Sequence, residues 1–179
     1  EKRTFRMEYP ITRITGDTVW VYEQCQPVYD ETGRPEALEG IIIDVSARKD
    51  KENRINYLLT HDSLTGVFNR HYYMKKRAEM DADFDTLPLS LIICDIDGLK
   101  LINDAFGTEK GDIFLQKTAR LLTECVREGD ILARLGGDDF ALLMPHTDRI
   151  VVEQMLRVIQ NRFMQHNQTV KNEYDKIYL

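Results

Sequence analysis

Cysteine is scarce in this chain of 179 residues, and the three present, Cys25, Cys94 and Cys125, are widely spaced with no C-x-x-C among them. That excludes a disulfide framework and a thiolate zinc site, and it fits free, mostly buried thiols in a reducing cytoplasm. Long apolar runs are missing too. None approaches the roughly 18–20 residues that a membrane span needs, and the opening residues do not read as a signal peptide. Positive charge is outnumbered: 24 Lys and Arg face 30 Asp and Glu, a formal net charge of −6. A general nucleic-acid binder is disfavoured, because phosphate backbones reward clustered cations. The four histidines lack metal-ligand spacing, and no G-x-S-x-G, P-loop or Cys–His signature occurs. What is there is ordinary for a globular protein: 42% hydrophobic and 30% charged residues, enough to bury a core without staples.

The texture changes near residue 46. Before it the chain reads as β: residues 8–15 are mixed, and residues 18–29 are rich in β-branched and aromatic side chains. Pro27 inside that run predicts an edge position or a bulge. A turn over residues 30–33 and a strand over 38–45, with Ile41, Ile42 and Ile43, complete an antiparallel arrangement. Ser46 is the expected N-cap of a helix over 46–60, charged at first and then apolar at Ile55, Leu58 and Leu59. Beyond it, helix is expected over 64–80, 113–126 and 150–163, the last through Val152, Met155, Leu156, Ile159 and Phe163. Strands are expected over 87–94, 130–135 and 140–144. Helices packed on a sheet containing an antiparallel hairpin make the class α+β.

Four clusters could carry chemistry. Asp95 and Asp97 follow an apolar strand, where alternation aims both side chains the same way, a placement that suits a hard divalent cation and equally a plain turn. Gly136-Gly-Asp-Asp139 is turn chemistry, yet two adjacent acids there call for a compensating cation. If the strand before Asp95 neighbours that hairpin, Asp95 and Asp138 converge and can share a metal. Asn103 and Asp112 read either as helix caps or as an amide and a carboxylate for a guanine edge, with Lys100 for phosphate. Arg127 and Asp130 flank Gly129, where a helix C-terminus alone accounts for them.

Taken together, these segments resemble the GGDEF domain of diguanylate cyclases. The resemblance runs through Asp62-Ser-Leu-Thr-Gly-Val-Phe-Asn-Arg70, Asp95-Ile-Asp-Gly-Leu-Lys-Leu-Ile-Asn-Asp104, Gly107-Thr-Glu-Lys-Gly-Asp112 and Arg134-Leu-Gly-Gly-Asp-Asp-Phe140. It implies a nucleotide-cyclase or polymerase-palm-like sheet with flanking helices over 62–179. Residues 1–46 are similar to the C-terminal strands of a PAS sensor domain, with 47–61 as a linker helix. The implied reaction condenses two GTP molecules, one on each subunit of a homodimer, into cyclic di-GMP and two pyrophosphates. By the same resemblance Asp95, Asp138 and the Ile96 carbonyl hold Mg²⁺, with Mn²⁺ as a substitute, and Asp138 and Asp139 are catalytic. Asn103 and Asp112 recognise guanine, and Lys100, Leu99, Gly136 and Gly137 line the substrate. Arg127 and Asp130 match a product-inhibition site for cyclic di-GMP.

The chain departs from the family at Asp139, where Glu is usual, and at Leu99, Thr108 and Leu135. The shorter Asp139 keeps a second reading open, a degenerate module that binds GTP or cyclic di-GMP without turnover. The final strands and helix of such a domain, with a basic residue for the phosphates, are expected beyond residue 179. The sensor's ligand and any membrane tether of a parent chain are not legible.

Overall fold

The β-branched and aromatic residues of the N-terminal part build a three-stranded antiparallel sheet in the computed structural model, which describes residues 4–179. Its strands β1 (Phe5–Thr12), β2 (Thr18–Tyr29) and β3 (Pro35–Asp44) stand in the order β1-β2-β3. The segment read as mixed is thus largely strand, joined to β2 by a turn in which the Gly16 N–H donates to the Arg13 carbonyl. Pro27 sits opposite Leu38, past the last described pair with β1 (Phe5↔Cys25) and beside a register shift at Val28/Tyr29. Its missing N–H therefore falls at an irregular stretch, as the sequence predicts. Gly33, with φ 79°, closes the β2–β3 turn.

Helix α1 (Ser46–Thr60) follows, but Ser46 is not its cap. The Val45 carbonyl accepts the N–H groups of Arg48 and Lys49, while the Ser46 hydroxyl accepts the Trp20 N–H at 2.9 Å. No α1 residue is buried, and the apolar spacing of Ile55, Leu58 and Leu59 lies open. The chain divides into two compact units, 1–56 and 57–179.

The second unit carries the sheet β4-β6-β7-β5. Its strands are β4 (Phe68–Asn69), β5 (Ser90–Cys94), β6 (Ile131–Gly136) and β7 (Asp139–Met144), with helices α2 (Arg70–Asp81), α3 (Leu99–Phe106), α4 (Thr108–Thr123) and α5 (Arg149–Thr169). β4 runs parallel to β6, while β6–β7 and β5–β7 are antiparallel. The main core packs Ile92, Leu132, Phe140 and Leu142 with Phe114 and Leu122 of α4 and Met155, Ile159 and Phe163 of α5. A smaller cluster joins Ile131, Ala133, Ala141 and Leu143 to Tyr73 of α2. Each fully buried Leu or Phe here contributes about 1.5–3 kcal/mol. The class is α+β, a mixed sheet flanked by helices.

Three expected boundaries move. The helix expected from residue 64 starts at Arg70, because local polar groups offer the backbone a turn instead. The Asp62 carboxylate accepts the Thr65 N–H and hydroxyl, Gly66 has φ 76°, and Asn69 caps α2 through the Tyr72 N–H. The helix expected from residue 113 begins at Thr108, immediately after Gly107 at φ 87°. The strand expected over 87–94 narrows to Ser90–Cys94, and its lead-in is held by the loop after β7 through the Thr147 N–H on the Pro88 carbonyl. On α5, Leu156 is exposed at 38% and stays outside the core.

Candidate functional site

Strand pairing decides where the acids go. β5 and β7 are antiparallel with Cys94 opposite Phe140, so the residue leaving β5 and the residues entering β7 meet at one end of the sheet. Asp95, Asp138 and Asp139 offer carboxylate oxygens that all lie within 4.8 Å of one another. The neighbourhood expected for the strand before Asp95 is therefore present, and the hairpin's second acid, Asp139, joins the group. Partial desolvation raises the pKa of the Asp95 carboxyl above the ordinary aspartate value, and the charges of Asp138, Asp139 and Asp97 push the same way. Asp97 shares the exposed side of the run with Asp95 but is not in the trio; its N–H donates to the Tyr178 carbonyl at 3.0 Å. Ile96, only 1% exposed, anchors the segment in the core between the two acids. Three hard oxygen donors that repel one another are a composition that fits a divalent cation.

The signature turn is fastened from one side. Gly136 and Gly137 take φ values of 141° and 55°, conformations that L side chains rarely adopt. Beside them the Arg134 guanidinium donates to the Gly137 carbonyl from Nε at 2.9 Å and from Nη2 at 2.7 Å, and Nη1 reaches Asp62 at 3.3 Å. Burial alone would raise the Asp62 pKa. The Thr65 hydrogen bonds and Arg134 outweigh that, and the net shift is downward. Both residues lie within the sequence motifs, where local pattern assigns neither a role. The available signal was an acid at a helix end and an Arg adjoining a glycine turn, complementary charges 72 residues apart.

The capping alternative for Asn103 and Asp112 does not survive. Asn103 lies inside α3, whose N-cap is Gly98, and Asp112 lies inside α4, whose N-cap is Gly107. Asn103 instead packs on the α4 backbone where it has no side chain: a Cβ on Gly111 would come 1.9 Å from the Asn103 Oδ1. That oxygen is buried and has no hydrogen-bond partner among the described residues. The acceptor lies against Gly111, which precedes the exposed Asp112, so the two side chains offer polar groups on neighbouring turns. Lys100 is exposed on α3, whereas the Leu99 side chain is 6% exposed within the core.

Arg127 and Asp130 pair with each other in the turn between α4 and β6. Arg127 Nε meets one Asp130 oxygen and Nη2 the other, both at 3.1 Å. They precede β6, while the glycine turn ends it, so about 20 Å of strand separates the two places.

A family model described as "Diguanylate cyclase, GGDEF domain" matches residues 59–179. Over 168 residues the chain is 31% identical to the uncharacterized protein y4lL of Sinorhizobium fredii, covering 87% of this chain and 20% of that one. It is 37% identical over 109 residues to the diguanylate cyclase DgcM of Escherichia coli, covering 60% and 27%. Among solved structures it resembles the coiled coil and GGDEF domain of DgcB from Caulobacter crescentus in complex with c-di-GMP. That likeness has a TM-score of 0.59 and 26% identity, over 64% of this chain and 61% of that one. The chain thus spans about a fifth to a quarter of the length of these curated relatives. Among the described residues, no helix is long and apolar enough to cross a membrane.

Proposed function

The chain belongs to the GGDEF-domain family of diguanylate cyclases, and on that premise we propose that it condenses two GTP molecules into cyclic di-GMP with release of two pyrophosphates. The observation that carries this reading is the convergence of Asp95, Asp138 and Asp139 at the β5–β7 end of the sheet. Those carboxylates would hold Mg²⁺ or Mn²⁺, with the Ile96 carbonyl beside them. The bound ion supplies charge neutralisation for the triphosphate and for a 3′-oxygen losing its proton. The protein's own part is positioning. Asn103 and Asp112 take the guanine edge, Lys100 meets phosphate, and Gly136 and Gly137 let backbone approach the nucleotide without a Cβ in the way. Asp139 is one methylene shorter than the usual Glu and still reaches the trio, which favours turnover over the binding-only module.

Two GTP molecules must face each other for each 3′-hydroxyl to attack the other's α-phosphorus, so the working unit is a homodimer. Arg127 and Asp130 form the product-inhibition site, and residues 1–46 are the closing strands of a PAS sensor that governs the output through α1. Incubation with GTP and Mg²⁺ tests the core of this reading. Cyclic di-GMP identified by mass is expected, and Asp138→Ala should abolish it. Intact GTP binding with no product, even at high protein concentration, would refute catalysis and leave the binding module.

A further inference from the structure

Arg127 is held by more than Asp130. Its Nη2 also donates to the Thr147 hydroxyl at 2.7 Å, and that hydroxyl donates in turn to the Pro145 carbonyl at 2.8 Å. Thr147 is fully buried, in the loop between β7 and α5. Its backbone is pinned on both sides: the N–H donates to the Pro88 carbonyl at 2.7 Å, and the carbonyl accepts the Ser90 hydroxyl at 2.6 Å. A buried polar residue so completely tied places its oxygen at a fixed point.

The donor inventory of Arg127 then has a definite outcome. Of five N–H groups, Nε and both on Nη2 point inward, to Asp130 and Thr147. Nη1 makes no hydrogen bond among the described residues. Asp130 takes the Arg127 backbone N–H as well as the guanidinium, and its side chain is only 3% exposed. Arg127, by contrast, is 42% exposed.

We propose that Thr147 is a positioning residue for the cyclic di-GMP site at Arg127, its hydroxyl turning the guanidinium so that Nη1 and one open face meet the ligand. Two N–H bonds on one nitrogen diverge, so each of them meets a separate acceptor oxygen, the Nε–Nη2 fork being taken by Asp130, while the planar face stacks on a purine. This proposal rests on reading Arg127 as part of a product-binding site.

Calorimetric titration of the 179-residue chain with cyclic di-GMP separates the two ideas. Thr147→Val, which keeps the shape and removes the hydroxyl, should weaken binding about tenfold, the effect of one hydrogen bond to a charged group. Thr147→Ser should stay within about twofold of the parent chain, and GTP binding should be unchanged in both. A parent chain that binds GTP but no cyclic di-GMP refutes the product-site reading, and the proposal with it. Parent binding with Thr147→Val equally tight, or with Thr147→Ser as weak as Thr147→Val, overturns the role of Thr147 alone. If Thr147→Val shows no cooperative melt, Thr147→Cys replaces it under the same expectations.

Discussion

Replacing Gly111 by Ala tests the proposed guanine site in a way that separates binding from folding. The added Cβ would lie 1.9 Å from Asn103 Oδ1, 2.8 Å from its Cγ and 3.2 Å from its Nδ2, so the whole amide has to swing aside. Because only a side-chain end is struck, the displacement is cheap in stability, on the order of 1 kcal/mol. In the helix interior Ala gains about 0.8–1 kcal/mol over Gly. The two contributions nearly cancel, and G111A should melt within a few degrees of the parent chain in circular dichroism. GTP affinity measured by calorimetry should still fall by about 10–100-fold, as loss of a buried hydrogen-bonding group predicts. The background Asn103→Ala makes the reasoning sharper. With the amide gone, the same G111A change should stabilise by about 0.8–1 kcal/mol and leave the already weak GTP binding alone. Unaltered GTP affinity in G111A would refute the placement of Asn103 at the nucleotide. A destabilisation by G111A that persists in the Asn103→Ala background would show that the backbones of α3 and α4, and not the amide, set the approach.

Four further expectations concern charge. Asp95 keeps its proton to higher pH in the folded chain than an ordinary aspartate, through partial desolvation and then the neighbouring acids. Its contribution to stability is therefore present at low pH and lost as pH rises through the raised value. In the absence of divalent ions, Asp138→Asn should raise the melting temperature at neutral pH, and it should abolish the stabilisation expected of the parent chain on adding Mg²⁺; a fall in melting temperature would contradict the repulsion. For the same reason, Mn²⁺ binding followed by electron paramagnetic resonance should weaken on acidification from a pH above the ordinary aspartate range, and a flat profile would count against Asp95 as a ligand. Arg134→Ala leaves Asp62 and the Gly137 carbonyl without their partner and should cost about 1–3 kcal/mol in urea denaturation. It should also lower turnover more than GTP affinity; the reverse split would deny Arg134 a part in holding the turn. Asp62 is depressed, so its contribution exists above about pH 4 and disappears as pH falls through the lowered folded value. The stability gap between the parent chain and Asp62→Asn should close on acidification, and a gap that persists well below that pH would locate the effect elsewhere.

Local pattern was enough for some parts of this molecule and blind to others for a physical reason. The β6–β7 hairpin was legible because glycine, acid and apolar alternation are all local signals, and α5 because its apolar spacing repeats every turn. The start of α2 was not. Leu64 and Val67 carry helical spacing, but the Asp62–Thr65 hydrogen bonds and the pairing of Phe68–Asn69 with Ala133–Arg134 outbid it, and the second of those partners lies more than sixty residues away. Asn103 and Asp112 show the same limit at the site. Both are good capping residues, and only the positions of Gly98 and Gly107, with φ values of 74° and 87°, settle that the caps lie elsewhere.

The acids and the clamp beside them depend on opposite kinds of interaction. Asp95, Asp138 and Asp139 repel, so nothing in their own chemistry holds them at one end of the sheet. What holds them is apolar: Phe140, Ala141 and Leu142, at 0–2% exposure, fix β7 against β5, and Ile96 fixes the segment after it. The turn that carries Asp138 has two glycines and no apolar anchor of its own, so its conformation falls to Arg134. Arg134 is in turn oriented by Asp62, which the Thr65 hydrogen bonds keep ionised at neutral pH. Asp62 lies two residues beyond the end of α1. The end of that helix is thus joined to the Gly137 carbonyl by a hydrogen-bonded path through Asp62 and Arg134. Lysine at 134 cannot reproduce this: one ammonium has no planar fork to span a carboxylate and a carbonyl together. If the link is geometric rather than a matter of charge alone, Arg134→Lys should lose turnover nearly as far as Arg134→Ala while keeping most of the stability. Activity close to that of the parent chain in Arg134→Lys would reduce the clamp to a simple charge pair.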